Sequence, residues 1–237
     1  MQGYSRKQLK EDRFVESAQG AAEWASRHQR MLIWTIASAI VVGLLIYGFV
    51  TWRNRQIEQG NMALGAAMRT FNAQLRPAGA PASDKNAGFA GNVERAQAAE
   101  KEFQSAADKF SLTKAGKIAR YMEGVAAMEA GDKDAEQKLK AAADSSDKEV
   151  ASLAKMALAN YYRNNKRQSD AVRIYKEVAE HPTDTVSKPE AQLQLAGLYE
   201  TTDPQQATAL YHEIMKEDPA GPAAQAATAR LSGGRQR

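Results

Sequence analysis

The sequence predicts an all-α protein in which a single N-terminal transmembrane helix is followed by an α-solenoid of about four helix pairs. Three observations predict this fold class: an uncharged apolar run from Met31 to Trp52, apolar residues at helical spacing, and a repeat of 36 residues in the rest of the chain. No stretch alternates apolar and polar residues in the way that a half-buried strand requires. The 237 residues leave room for one or two domains.

Residues 1–30 are interpreted as a cytoplasmic tail that is partly an amphipathic helix. Phe14, Ala18, Ala21 and Ala25 fall on one face of such a helix. The tail carries six Lys and Arg against four Asp and Glu, so it is net positive. Two states of this helix stay open: it lies on an anionic membrane leaflet, or it frays in solution.

Residues 31–52 are predicted to be the transmembrane anchor. A helix of 22 residues is about 33 Å long, and the hydrocarbon core of a bilayer is roughly 30 Å thick. Trp34, Tyr47 and Trp52 lie toward its ends, where amphipathic rings favour the headgroup region. The small-x-small site at Ser38 lies inside the apolar run, so we expect a retained anchor rather than a cleaved signal peptide.

The charge distribution also predicts the topology of this anchor. The positive-inside rule places the short basic tail in the cytoplasm and the long C-terminal domain outside it. On the anchor, Thr35, Ala39 and Gly43 form a ridge of small residues at four-residue spacing. Such a ridge lets a second transmembrane helix approach closely, although it also arises by chance in helices rich in Ala and Gly.

Residues 53–231 are predicted to form the repeat domain. At a shift of 36 residues, small residues align in one column and bulky residues align in a second column four residues later, which marks a closely packed helix face. Helix pairs that recur at about this period are typical of tetratricopeptide repeats. Together with Tyr162 and Tyr199 on the preceding helices, the predicted repeat core contains Ala99, Phe103, Ala135, Leu139, Ala171, Tyr175, Ala207 and Tyr211.

Three further segments complete the domain boundaries. Residues 77–91 are rich in Pro, Gly and Ala and are predicted to form a loop inside the first helix pair. Residues 220–231 are predicted to form a capping helix, because the last repeat of a solenoid must cover its apolar face. Residues 232–237 are expected to be a disordered tail.

The sequence holds no pattern typical of an enzyme, a cofactor site or a metal site. It has no cysteine, and His28, His181 and His212 do not form an HxxxH or HExxH pair. Gly-rich phosphate-binding motifs and the GxSxG nucleophile elbow are missing from the sequence. Residues 53–237 hold 26 basic against 24 acidic residues, which argues against a nucleic-acid interface. No small-molecule substrate is indicated either.

The concave face of the solenoid is the predicted partner-binding surface. The first helix of each pair lines it in the usual repeat register, and its mixture of Met, Leu, Asn and Arg suits adaptable binding of a polypeptide. The residues expected to face this groove are Lys117, Arg120, Gly124, Leu153, Met156, Asn160, Arg163, Asn164, Leu193 and Glu200.

Two stretches after the anchor, AAEKEFQSAADKF and AGKIARYMEGVAAMEAGDKDAEQKLKAAADSSDKEVASLAKMALANYY, resemble the YfgM-like family of ancillary subunits of the SecYEG translocon. The resemblance runs from the anchor to about residue 200. It implies a single-pass protein of the bacterial inner membrane with a periplasmic domain. It also implies protein partners, namely the Sec translocon, periplasmic chaperones and newly exported chains.

The sequence therefore favours a non-enzymatic membrane adaptor that acts in protein export. Two alternatives stay open. One is a repeat scaffold for another envelope machine, such as cytochrome c maturation or cell-wall synthesis. The other is a regulator that acts through its cytoplasmic tail.

Overall fold

The structure, a computed structural model, describes Trp24, residues 27–76 and residues 88–234. These residues form nine helices, and their one β contact is an isolated bridge between Leu75 and Phe89. The prediction of an all-helical chain is therefore confirmed. The chain divides into two units, Met1–Arg55 and Gln56–Arg237. Most of the predicted amphipathic helix in the tail lies outside the described residues.

Helix α1 (Gln29–Phe71) is 43 residues long and contains the apolar run. Its most apolar window has a mean hydropathy of 2.2, and none of that window is buried. A core helix of a soluble domain would bury such a stretch. The exposure of the apolar run therefore disfavours its interpretation as a core helix. The structure confirms one N-terminal helix that is long and apolar enough to span a membrane.

The polar side chains inside the apolar run are bonded within the helix itself. The hydroxyls of Thr35, Ser38 and Thr51 donate to carbonyl oxygens three residues earlier at 2.9, 2.8 and 2.9 Å. A group that is satisfied in this way needs no water, which suits a helix surrounded by hydrocarbon.

The second unit consists of the end of α1 and eight further helices, whose ends follow local capping signals. Asp147, Ser187 and Asp203 accept hydrogen bonds from backbone N–H groups of the helices that follow them. Gly131 ends α3 in the left-handed region, with φ 72°. The helices are α2 (Asn92–Lys109), α3 (Lys114–Ala130), α4 (Ala135–Ala143), α5 (Lys148–Asn164), α6 (Gln168–Glu180), α7 (Lys188–Thr202), α8 (Pro204–Glu217) and α9 (Pro222–Gly234).

Each helix from α2 to α9 packs against the next one along the chain, α3 also contacts α5, and α7 also contacts α9. The end of α1 packs on α2. Its Phe71 ring meets the Phe103 ring edge-on at 6.0 Å, and its Thr70 donates to Glu102 at 3.0 Å. The core is thus built from contacts between successive helices.

The two columns of the 36-residue repeat occupy equivalent buried positions on α2, α4, α6 and α8. Tyr162 on α5 is buried as well, whereas Tyr199 on α7 is half-buried. The alanines are Ala99, Ala135, Ala171 and Ala207, and the bulky residues are Phe103, Leu139, Tyr175 and Tyr211, all at most 3% exposed.

The hydroxyl groups of the buried tyrosines donate to neighbouring helices. Tyr175 donates to Asn160 at 2.8 Å, and Tyr211 donates to Glu200 at 2.7 Å. Burial raises the pKa of Tyr175 to about 12 and also raises the pKa of Tyr211. Each ring therefore fills the core while its hydroxyl is satisfied by the first helix of the same pair.

Glu136 on α4 joins three helices. Its carboxylate lies 2.7 Å from Lys140 and 2.8 Å from Arg167, and it accepts a hydrogen bond from Tyr162 at 3.0 Å. The bond from Lys140, followed by those from Tyr162 and Arg167, lowers the pKa of Glu136 from 4.5 to about 2. The folded state thus favours the ionised carboxylate.

The structure can be compared with two predicted boundaries, those of the loop 77–91 and of the C-terminal tail 232–237. The loop ends before Asn92, and its described ends are joined because Arg76 N–H donates to the Phe89 carbonyl at 2.7 Å. Residues 77–87 lie outside the described part. The predicted disordered tail is wrong for residues 232–234, because α9 continues to Gly234 and Ser232 bonds back to Ala229 at 3.1 Å. Residues 235–237 lie outside the described part as well.

Replacing Tyr175 by Ala is expected to lower the free energy of unfolding by about 3–5 kcal/mol, because it leaves a cavity among buried side chains. Tyr175→Phe keeps the ring and is expected to cost about 0.5–1.5 kcal/mol, for one lost hydrogen bond. Denaturant unfolding of the full chain in detergent, followed by circular dichroism, measures both. Arg173→Ala, at an exposed position on the same helix, is the control. Equal stability of all three variants would contradict the assigned core.

Glu136→Gln is expected to flatten the acid end of the stability profile. The pKa of Glu136 is depressed in the folded state, so its contribution is complete above about pH 4.5 and is lost as the pH falls toward about 2. Denaturant unfolding at stepped pH values compares the variant with the parent chain. Glu180→Gln, at an exposed position on α6, is expected to keep the parent slope; a parent-like slope for Glu136→Gln contradicts the role of Glu136.

Candidate protein-binding site

The predicted groove residues on α3 do not share an open surface. Gly124 is buried, and a Cβ atom there would lie 2.8 Å from Leu139 Cδ2. The prediction for Gly124 is therefore wrong: the glycine lets α3 approach α4. Lys117 and Arg120 line a cavity of about 210 Å³ beside residues of α2 and α4, and Arg120 binds Asp108 of α2 at 2.7 Å.

The predicted residues on α5 differ in their surroundings. Met156 is only 8% exposed and belongs to the central core, so its placement in the groove is wrong. Leu153 is half-buried against the same core. Asn160 accepts the Tyr175 hydrogen bond from α6. Arg163 donates to Gln194 of α7 at 3.3 Å, and Asn164 is exposed.

The two predicted residues on α7 face the C-terminal helices. Leu193 packs on the core formed by α7, α8 and α9. Glu200 accepts from Tyr211 of α8 at 2.7 Å and pairs with Arg230 of α9 at 3.3 Å. The ten predicted residues thus serve several helix contacts and do not converge on one site.

The small-residue ridge of α1 lies on the surface of the helix. Thr35, Ala39 and Gly43 are exposed, and a Cβ atom added at Gly43 would meet nothing within 4 Å. The ridge is open to a second helix, and docking there stays a prediction.

A cleft of about 650 Å³ opens between α6, α7 and α8. This volume lies in the range of about 300–1,000 Å³ that is usual for ligand pockets. Leu195 and Tyr199 form its α7 wall, and Leu210 forms its α8 wall. The other lining residues are Lys176, Ala179, Glu180, Pro182, Lys188, Gln192 and Gln206.

Gln192, which lines this cleft, carries an unsatisfied buried polar atom. The side chain is only 5% exposed, and its Nε2 donates to Glu213 Oε1 at 2.8 Å. A carboxylate only accepts hydrogen bonds, so this contact fixes the orientation of the amide. The buried Oε1 atom has no donor. An unpaired buried acceptor costs about 1–3 kcal/mol.

Charged groups surround Gln192 without competing for its oxygen. Lys188 lies 3.2 Å from Glu213 and 2.9 Å from Glu217, so its ammonium is occupied. The hydrogen bond from Gln192, followed by that from Lys188, lowers the pKa of Glu213. Lys176 forms no salt bridge within the part of the chain that the structure describes. The cleft thus combines apolar walls with polar and charged side chains of both signs, and the unpaired Gln192 Oε1 lies buried beside it.

Reactive groups do not gather near this cleft. Across residues 27–76 and 88–234 together with Trp24, no group of three or more His, Cys, Asp or Glu side chains is placed to hold a metal ion. His181 is exposed and its ring Nδ1 lies 3.1 Å from the Glu177 carbonyl oxygen. The arrangement suits recognition. That the chain is not an enzyme stays a prediction.

Sequence patterns gave little indication of this site. Leu195 and Tyr199 read as ordinary core residues, and Gln192 reads as a polar residue on a helix surface. The one available signal is that Gln192 lies next to Ala191 and three residues before Leu195, on the buried side of α7.

Gln192→Met is expected to raise the pKa of Glu213 toward its ordinary value, because the largest contribution to its lowering is the hydrogen bond from Gln192. Carbon-13 NMR titration of labelled glutamate carboxyls measures this pKa. Lys176→Met is the matched control, since Lys176 lines the same cleft without bonding Glu213. A Glu213 titration that is the same in both variants would contradict the fixed amide orientation.

No protein-family model, no curated protein and no solved structure matches the chain. The resemblance to the YfgM-like family therefore stays a prediction from the sequence. Roles for individual residues follow from the contacts of this chain alone, and the cleft around Gln192 combines volume, apolar walls and an unpaired buried acceptor.

Proposed function

We propose that the chain is a membrane-anchored, non-enzymatic adaptor whose second unit binds polypeptide segments during protein export. The observation that carries this proposal is the cleft between α6, α7 and α8, whose lining residue Gln192 has an unpaired buried Oε1 atom. The exposed apolar stretch of α1 supports the anchor.

The second unit is proposed to be a solenoid of the tetratricopeptide type. Support comes from the buried columns that recur every 36 residues, and from helices that pack mainly on their neighbours in sequence. Proteins built in this way present long surfaces to other chains. The proposed work of the domain is therefore protein–protein interaction.

A polypeptide fits the cleft chemically. Its main chain carries an N–H donor at nearly every residue, and one such donor would satisfy Gln192 Oε1 once the buried amide turns toward the cleft. An apolar side chain next to that donor would pack between Leu195, Tyr199 and Leu210. A hydrogen bond to the main chain does not depend on the side chains of the bound polypeptide, so the cleft would accept many sequences. This breadth is what an adaptor for newly exported chains requires.

The cellular setting is proposed from the resemblance and from the charges of the tail. The basic tail supports a cytoplasmic N-terminus, and the resemblance supports a periplasmic second unit at a bacterial inner membrane. The ridge of Thr35, Ala39 and Gly43 is proposed to dock on a transmembrane helix of the Sec translocon. A periplasmic chaperone is proposed to receive the chain that the cleft holds.

A photo-crosslinking amino acid in place of Leu210 tests this proposal in cells that express the full chain. We expect adducts with exported polypeptides, Sec subunits or chaperones, identified by mass spectrometry. Combining the probe with Gln192→Met is expected to lower the yield by about 2- to 12-fold, since one hydrogen bond is lost. A probe in place of Lys216, which is exposed on α8 away from the cleft, should give few of these adducts.

The other outcomes assign the chain differently. Adducts only with subunits of cytochrome c maturation or cell-wall synthesis would replace protein export by the scaffold alternative. Adducts that are equally frequent with and without Gln192→Met would remove the cleft as the binding site. A phenotype that depends only on residues 2–25 would favour the regulator that acts through its tail.

A further inference from the structure

The turn between α2 and α3 exposes an apolar residue between two lysines, of which Lys109 places its ammonium 5.4 Å from the centre of the Phe110 ring. Leu112 is 86% exposed, the largest exposure among the large hydrophobic residues that the structure describes. Lys109 and Lys114 lie on either side of it, and both are exposed. Neither lysine forms a salt bridge within the described residues. The nearby Asp108 pairs with Arg120 at 2.7 Å, and Arg120 also pairs with Glu123.

The surface of the second unit next to this turn continues the same pattern. Met62 on α1 is 60% exposed. It lines a cavity of about 640 Å³ together with Lys101, Lys109 and Phe110. Lys101 likewise forms no salt bridge in the described part of the chain. Glu102, the acidic residue of this cavity, accepts a bifurcated hydrogen bond from the Thr70 hydroxyl and keeps its negative charge. Lys101 and Lys109 outnumber it, so the charged side chains that line this cavity have a net positive charge.

Chain connectivity holds this surface close to the anchor. The turn packs on Gly60 of α1, where an added Cβ atom would lie 3.1 Å from Thr113 Oγ1 and 3.3 Å from Phe110 Cβ. Gly60 follows the last residue of the apolar run, Trp52, by eight residues. Eight residues span at most about 28 Å even when fully extended. Gly60 is thus never more than about 28 Å from the end of the apolar run.

We infer that the turn Lys109–Lys114 is a membrane contact: Leu112 enters the interfacial region of an anionic bilayer, and Lys109 and Lys114 bind lipid headgroups. The inference rests on the anchor of the proposed function. Apolar side chains with flanking cations are the chemistry that anionic lipid surfaces bind. Tethering by α1 gives the turn a high local concentration at that surface, so a weak contact is enough.

Spin labelling tests the inference cleanly because the chain has no native cysteine. Full-length Leu112→Cys carries a nitroxide in nanodiscs of anionic phospholipid. We expect high accessibility to oxygen, which concentrates in the bilayer, and low accessibility to a water-soluble nickel complex. Val93→Cys is the matched control, because Val93 is 52% exposed at the opposite end of α2; its label is expected to be open to nickel.

The nitroxide label of Leu112→Cys also tests the role of the lysine charges. Lys109→Gln with Lys114→Gln is expected to lower the ratio of bound to free turn by about 5- to 30-fold, since each lysine near an anionic surface contributes about 1 kcal/mol. Nanodiscs of neutral phosphatidylcholine are expected to have the same effect. If neither the lysine substitutions nor the neutral lipid changes the ratio of bound to free turn, the electrostatic part of the inference is overturned.

A third label separates this inference from the anchor on which it rests. In Ile40→Cys the nitroxide lies in the apolar run and must be accessible to oxygen if α1 spans the bilayer. Labels at Ile40 and Leu112 that are both open to nickel would overturn the anchor. A lipid-embedded label at Ile40 with a nickel-accessible label at Leu112 would overturn the membrane contact alone. A label at Leu112 shielded from both reagents would assign the turn to a protein contact instead.

Discussion

Close approach of helices through alanine is the constraint on which the second unit depends. Of the 35 buried hydrophobic residues in the described part of the chain, 20 are alanine. Alanine keeps helix axes near to one another but fills little space. A few large side chains, among them Phe103, Leu139 and Tyr175, must therefore fill the remaining volume. Each of them packs on neighbouring helices, so the stability of any helix is tied to its neighbours in sequence.

The same constraint governs where polar groups lie. Tyr162, Tyr175 and Tyr211 bring hydroxyl groups into the core, and each finds an acceptor on an adjacent helix. Those acceptors are Glu136, Asn160 and Glu200. Polar side chains of types that are usual at the surface are in this way used within the fold. The Oε1 atom of Gln192 is buried without such a partner, and an unpaired buried acceptor is costly.

How far the sequence predicted the structure depends on the kind of contact. The period of 36 residues placed Ala99, Phe103 and the equivalent residues of the other repeats at buried positions. This prediction is possible because the residues of a buried helix face recur at helical spacing. The same period placed Gly124 and Met156 in a groove, where the structure buries both. The spacing of apolar residues identifies the buried face of a helix. Which residues of the neighbouring helix that face contacts depends on how the neighbouring helix is rotated about its own axis. The Gln192 cleft needs Glu213 of α8 to orient its amide, which no local pattern encodes.

The two surfaces with proposed partners belong to different parts of the core. The turn at Leu112 joins helices of the cluster that includes Ala67 and Phe103. The cleft at Gln192 opens where the central cluster meets the C-terminal one. In a chain of helices held mainly by nearest-neighbour contacts, a perturbation at one pair weakens as it passes through each following pair. The proposed polypeptide contact at the cleft and the proposed membrane contact at the turn are therefore expected to be independent of one another.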